Sequence, residues 1–303
     1  YRIIYCKQKN LAMGQVGEDI LCGLVGVMAD RLTVSHWELM EQLLWMDSIR
    51  GYHSTGVTSV GGKGRANDTL KLAVDGAHFT QSVGWEKFSK GNAGSKVLMG
   101  HNRWATVGAV NAKNAHPFTH SHITMMHNGT LTDQTLLPDY QRFEVDSDNV
   151  AYSLATKGLS HTINNLDGAY ALVWHDSDDG TINFIRNDER PLWFAKLKNN
   201  QGYAWASEKL MLEWLLSRSK KGLFIEEMIE LPVGVHYSMT LHKKSLRMNN
   251  PVKYTLPVFN YNYGNWGNYG GYGRNSWKSN SSERTDWKAQ YQSHLDKYCD
   301  GVE

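Results

Sequence analysis

Cysteine is scarce: Cys6, Cys22 and Cys299 are the only three in 303 residues, and no Cys-x-x-Cys pair occurs. That excludes a disulfide framework and a cysteine-based zinc site, and it fits free thiols in a reducing compartment. No stretch approaches the roughly 20 apolar residues of a membrane-spanning helix. Lys7, Gln8, Lys9 and Asn10 break up the first 21 residues, where a signal peptide would need an apolar run. A cytoplasmic protein away from membranes is expected. Charge of one sign is missing too, since 32 Lys and Arg face 30 Asp and Glu, leaving no basic stripe for nucleic acid. Neither a Gly-x-Gly-x-x-Gly loop nor a Walker run is found, so no nucleotide cofactor is implied. His116, His120, His122 and His127 crowd one segment. Solvated or hydrogen-bonded histidines are their ordinary explanation, with His120 and His122 flanking Ser121 at a strand start, and no metal is expected.

What is present from Cys22 to about Thr255 is an alternation of strand-like and helix-like segments. Residues 22–28 read as a buried strand, followed by Thr33 or Ser35 as the cap of a helix carrying Trp37, Met40, Leu43, Leu44 and Met46. Strands are expected at 57–61, 70–74, 97–106 and 122–127. Ser147 is placed to cap a helix through Val150, Leu154 and Leu159, residues 169–174 and 181–185 read as a hairpin across Asp179-Gly180, and a last helix spans about 208–217. Strand groups between long helices predict two sheets sandwiched between helical layers. After Pro257 the composition changes: residues 260–282 contain no Leu, Ile, Val or Met and cannot build a core. Beyond them Trp287, Tyr291, His294, Leu295 and Tyr298 form one helical stripe, which serves either a terminal helix folding back on the domain or a docking peptide.

Three runs carry the chemistry: Cys22-Gly23-Leu24-Val25-Gly26, then Gly100-His101-Asn102-Arg103-Trp104-Ala105-Thr106, then His127-Asn128-Gly129. Together they resemble a class II glutamine amidotransferase, an N-terminal-nucleophile hydrolase. Further runs fall in the family's order: Arg50-Gly51-Tyr52-His53-Ser54-Thr55-Gly56, Asn114-Ala115-His116-Pro117, Leu166-Asp167-Gly168-Ala169-Tyr170, Arg190-Pro191-Leu192 and Ala206-Ser207-Glu208. The resemblance implies an α/β (α+β) fold in four layers, α/β/β/α, over residues 22–256. Residues 1–21 would be a leader or propeptide, 257–282 a linker and 283–303 a short helix.

The same resemblance implies roles. Cys22 would attack the side-chain amide of L-glutamine and form a thioester. Its thiol needs a base, because an ordinary cysteine with pKa about 8.5 is mostly protonated at neutral pH. An N-terminal residue supplies that base from its own α-amino group, with pKa about 8. Since 21 residues precede Cys22, cleavage of the Leu21-Cys22 bond is expected, most economically by attack of the Cys22 thiol on the preceding carbonyl. The Asn128 amide and the Gly129 backbone N–H would hold the oxyanion. Arg103 would grip the substrate carboxylate in a bidentate fork, Asp146 the ammonium, with Asp148 as the alternative two residues on. Trp104, Thr106 and Arg50 complete the substrate-binding set. His53 where the family has Asp, and Val107 where His often follows the Thr, are departures that would retune the pocket.

The 47 residues from 257 to 303 are too few for an acceptor domain. A stand-alone glutaminase that passes ammonia to a separate synthetase, docked through the tail, is therefore expected; such relatives are expected in phage genomes as well as bacteria. Two alternatives remain: a catalytically silent interaction protein on the same fold, and a hydrolase of another amide.

Overall fold

The computed structural model of the chain describes residues 22–61, 67–218, 222–242 and 245–258. The expected leader and terminal helix, and the expected linker beyond residue 258, lie outside the described residues. The strands are β1 (Gly23–Met28), β2 (Ser54–Val60), β3 (Asp68–Leu72), β4 (Val97–Arg103), β5 (Phe118–His120), β6 (Ile123–Asp133), β7 (Asp167–Asp176), β8 (Thr181–Arg186), β9 (Trp193–Leu197), β10 (Tyr203–Ala206), β11 (Ile225–Glu230), β12 (Val235–Leu241), β13 (Leu246–Met248) and β14 (Val252–Lys253). The helices are α1 (Val34–Asp47), α2 (Gly76–Thr80), α3 (Val83–Gly91), α4 (Asp146–Asn164) and α5 (Lys209–Ser217).

One sheet has the order β11-β9-β10-β1-β4-β2-β3 and the other β13-β12-β8-β7-β6-β5, with β14 on β12, and every pairing is antiparallel. Helices α1 and α5 cover the outer face of the first sheet and α4 that of the second. The expected four-layer α+β sandwich is thus the observed one.

Alternation along β1 explains why the strand is buried throughout. Leu24 and Met28 join Met126, Val173, Phe184 and Trp205 between the sheets, while the intervening residues face α1. Gly26 lies on the inner face, where a Cβ would run into the Trp205 indole. A second core, with Met125, Val150, Leu154, Leu172 and Trp174, fills the space between the second sheet and α4.

Two local expectations are corrected. Ser147 does not cap α4: the N-cap is Val145, and Ser147 lies inside the first turn. Its hydroxyl turns to the Asp146 carboxylate and the His127 ring instead. His120 and His122 do not sit on alternate positions of one strand either. β5 ends at His120, and Ser121 turns the chain with φ 49° before β6 begins. His120 then meets Asp148 at 2.7 Å.

Candidate active site

The site lies on the inner face of the sandwich, where the start of β1 and the end of β4 meet the middle of β6. Register pairs Gly23 with Asn102, which sets Cys22 beside Arg103 and Trp104. The half-buried Cys22 thiol lies 3.3 Å from both the backbone N–H and the backbone carbonyl of Trp104. Burial pushes its pKa up to about 11, against the Trp104 N–H and the nearby Arg103 and Arg50 charges, which favour the thiolate. Asp146 works in the same direction as burial.

Period-two alternation on β6 delivers two neighbours to opposite sides. Met126 and Asn128 face β1, whereas Met125 and His127 face α4. Asn128 is fully buried, and its side-chain amide donates to Ser207 Oγ at 3.1 Å. The same Ser207 oxygen accepts the Leu24 N–H at 2.8 Å, and the Ser207 N–H donates to the Leu24 carbonyl at 2.8 Å. Ser207 therefore clamps β1 two residues past Cys22 and ties it to Asn128. Gly129 has φ 155°, and a Cβ there would collide with the Ala169 carbonyl. Close approach to β7 is what requires glycine at this place.

Arg103 is buried and turns its guanidinium onto the carbonyls of Val107 and Ala109, so it shapes the loop after β4. Asp146, at the start of α4, accepts the N–H groups of Leu131 at 2.8 Å and Ser147 at 2.7 Å. Its carboxylate interacts with both Cys22 and Arg103. Asp148, by contrast, pairs with His120, and its charge is felt at Lys71. The Thr106 hydroxyl lies 3.3 Å from that of Thr130. His53 stacks on Trp104 with ring centroids 4.3 Å apart and accepts the Ala105 N–H, so this departure from the family pattern shapes the loop that holds the thiol. Arg50 donates from Nε to the Cys22 carbonyl at 3.2 Å and pairs with Glu208.

The structure thus gathers Cys22, Arg103, Trp104 and Asp146 around one thiol, and links Asn128 to β1 through Ser207. Residues 101–213 match the family model described as a glutamine amidotransferase domain. The chain carries a class II glutamine amidotransferase domain. Over 224 residues it is 27% identical to the glutamine–fructose-6-phosphate aminotransferase (isomerizing) of Pectobacterium atrosepticum, covering 68% of this chain and 34% of that protein. The Caulobacter vibrioides protein of the same name is 32% identical over 177 residues, 50% of this chain and 26% of its own length. The chain spans about a third of the length of such relatives. The amidotransferase domain also has the fold of the B. subtilis glutamine phosphoribosylpyrophosphate amidotransferase, with TM-score 0.55 and 16% identity over 75% of this chain and 49% of that one. A structure described as the allosteric regulatory enzyme of purine biosynthesis gives TM-score 0.57 and 17% identity, covering 75% and 48%.

Two residues beside the site were not singled out in the sequence, Ser207 and Asp47. Ser207 stood in the run Ala206-Ser207-Glu208, which carries no chemical signal of its own. Asp47 ends α1 and is fully buried. An acid there opposes the helix dipole, and that was its one readable sign. Among the described residues no helix is long and apolar enough to cross a membrane.

Proposed function

We propose that this domain hydrolyses L-glutamine to glutamate and ammonia through a thioester on Cys22. The Cys22 sulfur attacks the side-chain amide carbon, and the thiol proton passes to the α-amino group freed by cleavage of Leu21-Cys22. The oxyanion is held by Asn128 and the Gly129 N–H. The tetrahedral intermediate collapses as ammonia takes that proton and leaves, and water then releases glutamate from the sulfur. Arg103 and Asp146 grip the substrate carboxylate and ammonium, with Trp104, Thr106 and Arg50 around them. The ammonia passes to a separate acceptor enzyme, docked through the tail, in a cytoplasmic setting.

One observation carries the reading: the Cys22 thiol is held by the Trp104 backbone, while Ser207 ties Asn128 to the same strand. The raised thiol pKa of about 11 supports the need for the α-amine, since burial leaves the sulfur protonated at neutral pH. For the same reason a chain that keeps residue 21 joined to Cys22 is catalytically silent, and this second reading describes the unprocessed form.

Intact mass and N-terminal sequencing, followed by an ammonia-release assay with C22A as control, test both readings. Cleaved chains that release ammonia from glutamine only when Cys22 is present support the first. A chain still joined at Leu21-Cys22 and inert supports the second, and Cys22-dependent release from another amide alone would replace glutamine as the substrate.

A further inference from the structure

Beneath the nucleophile, on the face of β1 opposite the thiol, lies a second set of ionisable groups. Gly23 has no side chain, and the Asp47 carboxyl fills the space that a Cβ there would occupy. Asp47 is fully buried, and neither carboxyl oxygen makes a hydrogen bond of full geometry, although the Asn102 backbone N–H is near enough to favour its charge. Arg50, three residues on, holds the Cys22 carbonyl with Nε and Glu208 with Nη1, yet its buried Nη2 has no partner. A buried acid and a buried guanidinium nitrogen, each short of a partner, therefore interact across the turn after α1. Unsatisfied buried polar groups are costly and rare, so two together beside a reactive residue call for a physical role.

We propose that Asp47 is a positioning residue that tunes Cys22 through Arg50: its ionised carboxylate engages the spare face of the guanidinium and offsets the positive charge that Arg50 presents to the sulfur. The proposal rests on Cys22 being the nucleophile. Burial raises the Asp47 pKa to about 7, with Glu208 acting in the same direction and Arg50 and the Asn102 backbone N–H opposing. Arg50 and Glu208 are the charged side chains that face the carboxyl among the described residues, while β1 offers it Gly23 and β4 the Asn102 backbone. The carboxyl is neutral below about 7 and charged above. Arg50 therefore favours the thiolate more strongly on the acid side of that point.

Alkylation of Cys22 by iodoacetamide, followed by peptide mass spectrometry from pH 5.5 to 9.5, reads this without any turnover. In the native chain the rise of rate with pH slackens near 7, and D47N gives an unbroken rise that is faster above pH 8 by roughly twofold or more. With glutamine, D47N keeps KM and alters the pH profile of kcat. A native profile with no break near 7, or a break that persists in D47N, overturns the proposal. Should D47N not fold, R50Q takes its place: loss of the break supports the coupling and its persistence refutes it. If no glutamine is hydrolysed, the alkylation profile still decides the role of Asp47. If glutamine is hydrolysed but the break is absent, this proposal alone fails.

Discussion

Asn128 donates its side-chain amide to Ser207 at 3.1 Å, and that bond joins the two sheets at the candidate site. Asn128 belongs to the second sheet, whereas Ser207 follows β10 and bonds to both backbone polar groups of Leu24 in the first. The amide has two N–H donors, so Ser207 takes one and orients the other. Replacing Ser207 by Ala removes the acceptor while leaving Asn128 in place. S207A should lower kcat for glutamine roughly tenfold with little change in KM, because a loosely aimed donor weakens transition-state stabilisation. Steady-state ammonia release checks this, and an unchanged kcat would remove Ser207 from the aiming of the donor.

Arg103 holds two loop carbonyls and stands beside Cys22 and Asp146. Lysine keeps the charge but has no planar fork. R103K should raise KM for glutamine about tenfold or more, while iodoacetamide still reaches Cys22. An unaltered KM would separate Arg103 from substrate binding.

Three buried histidines near the site set a pH limit on stability. His101 and His116 pack with ring centroids 3.8 Å apart, and the backbone carbonyl of His127 lies 3.0 Å from His101 Nε2. Burial lowers the pKa of all three, to about 3 for His101. As pH falls below the ordinary value of about 6.5, the unfolded chain takes up protons that these folded rings refuse. Their contribution is therefore fully present above about 6.5 and is lost progressively in acid, by at most about 1.4 kcal/mol per pH unit for each ring. Asp47 acts oppositely: its raised folded pKa gives a contribution that is present in acid and lost as pH rises toward 7. Three rings outweigh one carboxyl, so urea midpoints should fall between pH 6.5 and 5. A flat midpoint would contradict neutral burial, and H116F should reduce the slope.

Gly26 tests packing apart from chemistry. A Cβ there meets the Trp205 ring, itself fully buried between the sheets. G26A should cost about 1–3 kcal/mol by overpacking, read as a lower thermal midpoint, with KM for glutamine unchanged in the folded fraction. No loss of stability would mean that the sheets can part to admit a methyl.

Much of the architecture was legible because it follows from local periodicity. The burial of 22–28, the helix after Thr33 and the hairpin across Asp179-Gly180 all rest on spacing and turn residues, and the structure has β1, α1 and the β7–β8 hairpin there. Element ends were less legible. Ser147 reads as a cap because its hydroxyl suits that task, but His127 and Asp146 compete for the hydroxyl, and the His127 contact forms only when β6 packs on α4. His120 and His122 could not be sorted without the turn at Ser121.

The sequence by itself determined which residue types were available and in what order: a cysteine before a buried strand, an Arg-Trp pair at the end of another, and an Asn-Gly pair on a third. Only the tertiary structure decided which of Asp146 and Asp148 shares the field of Cys22, that Arg50 turns to the Cys22 carbonyl, and that Ser207 and Asp47 flank the nucleophile. The reason is physical. Period and propensity act within a few residues, whereas Ser207 meets Leu24 across 183 positions and Asn128 across 79, and such partners are chosen by how two sheets stack.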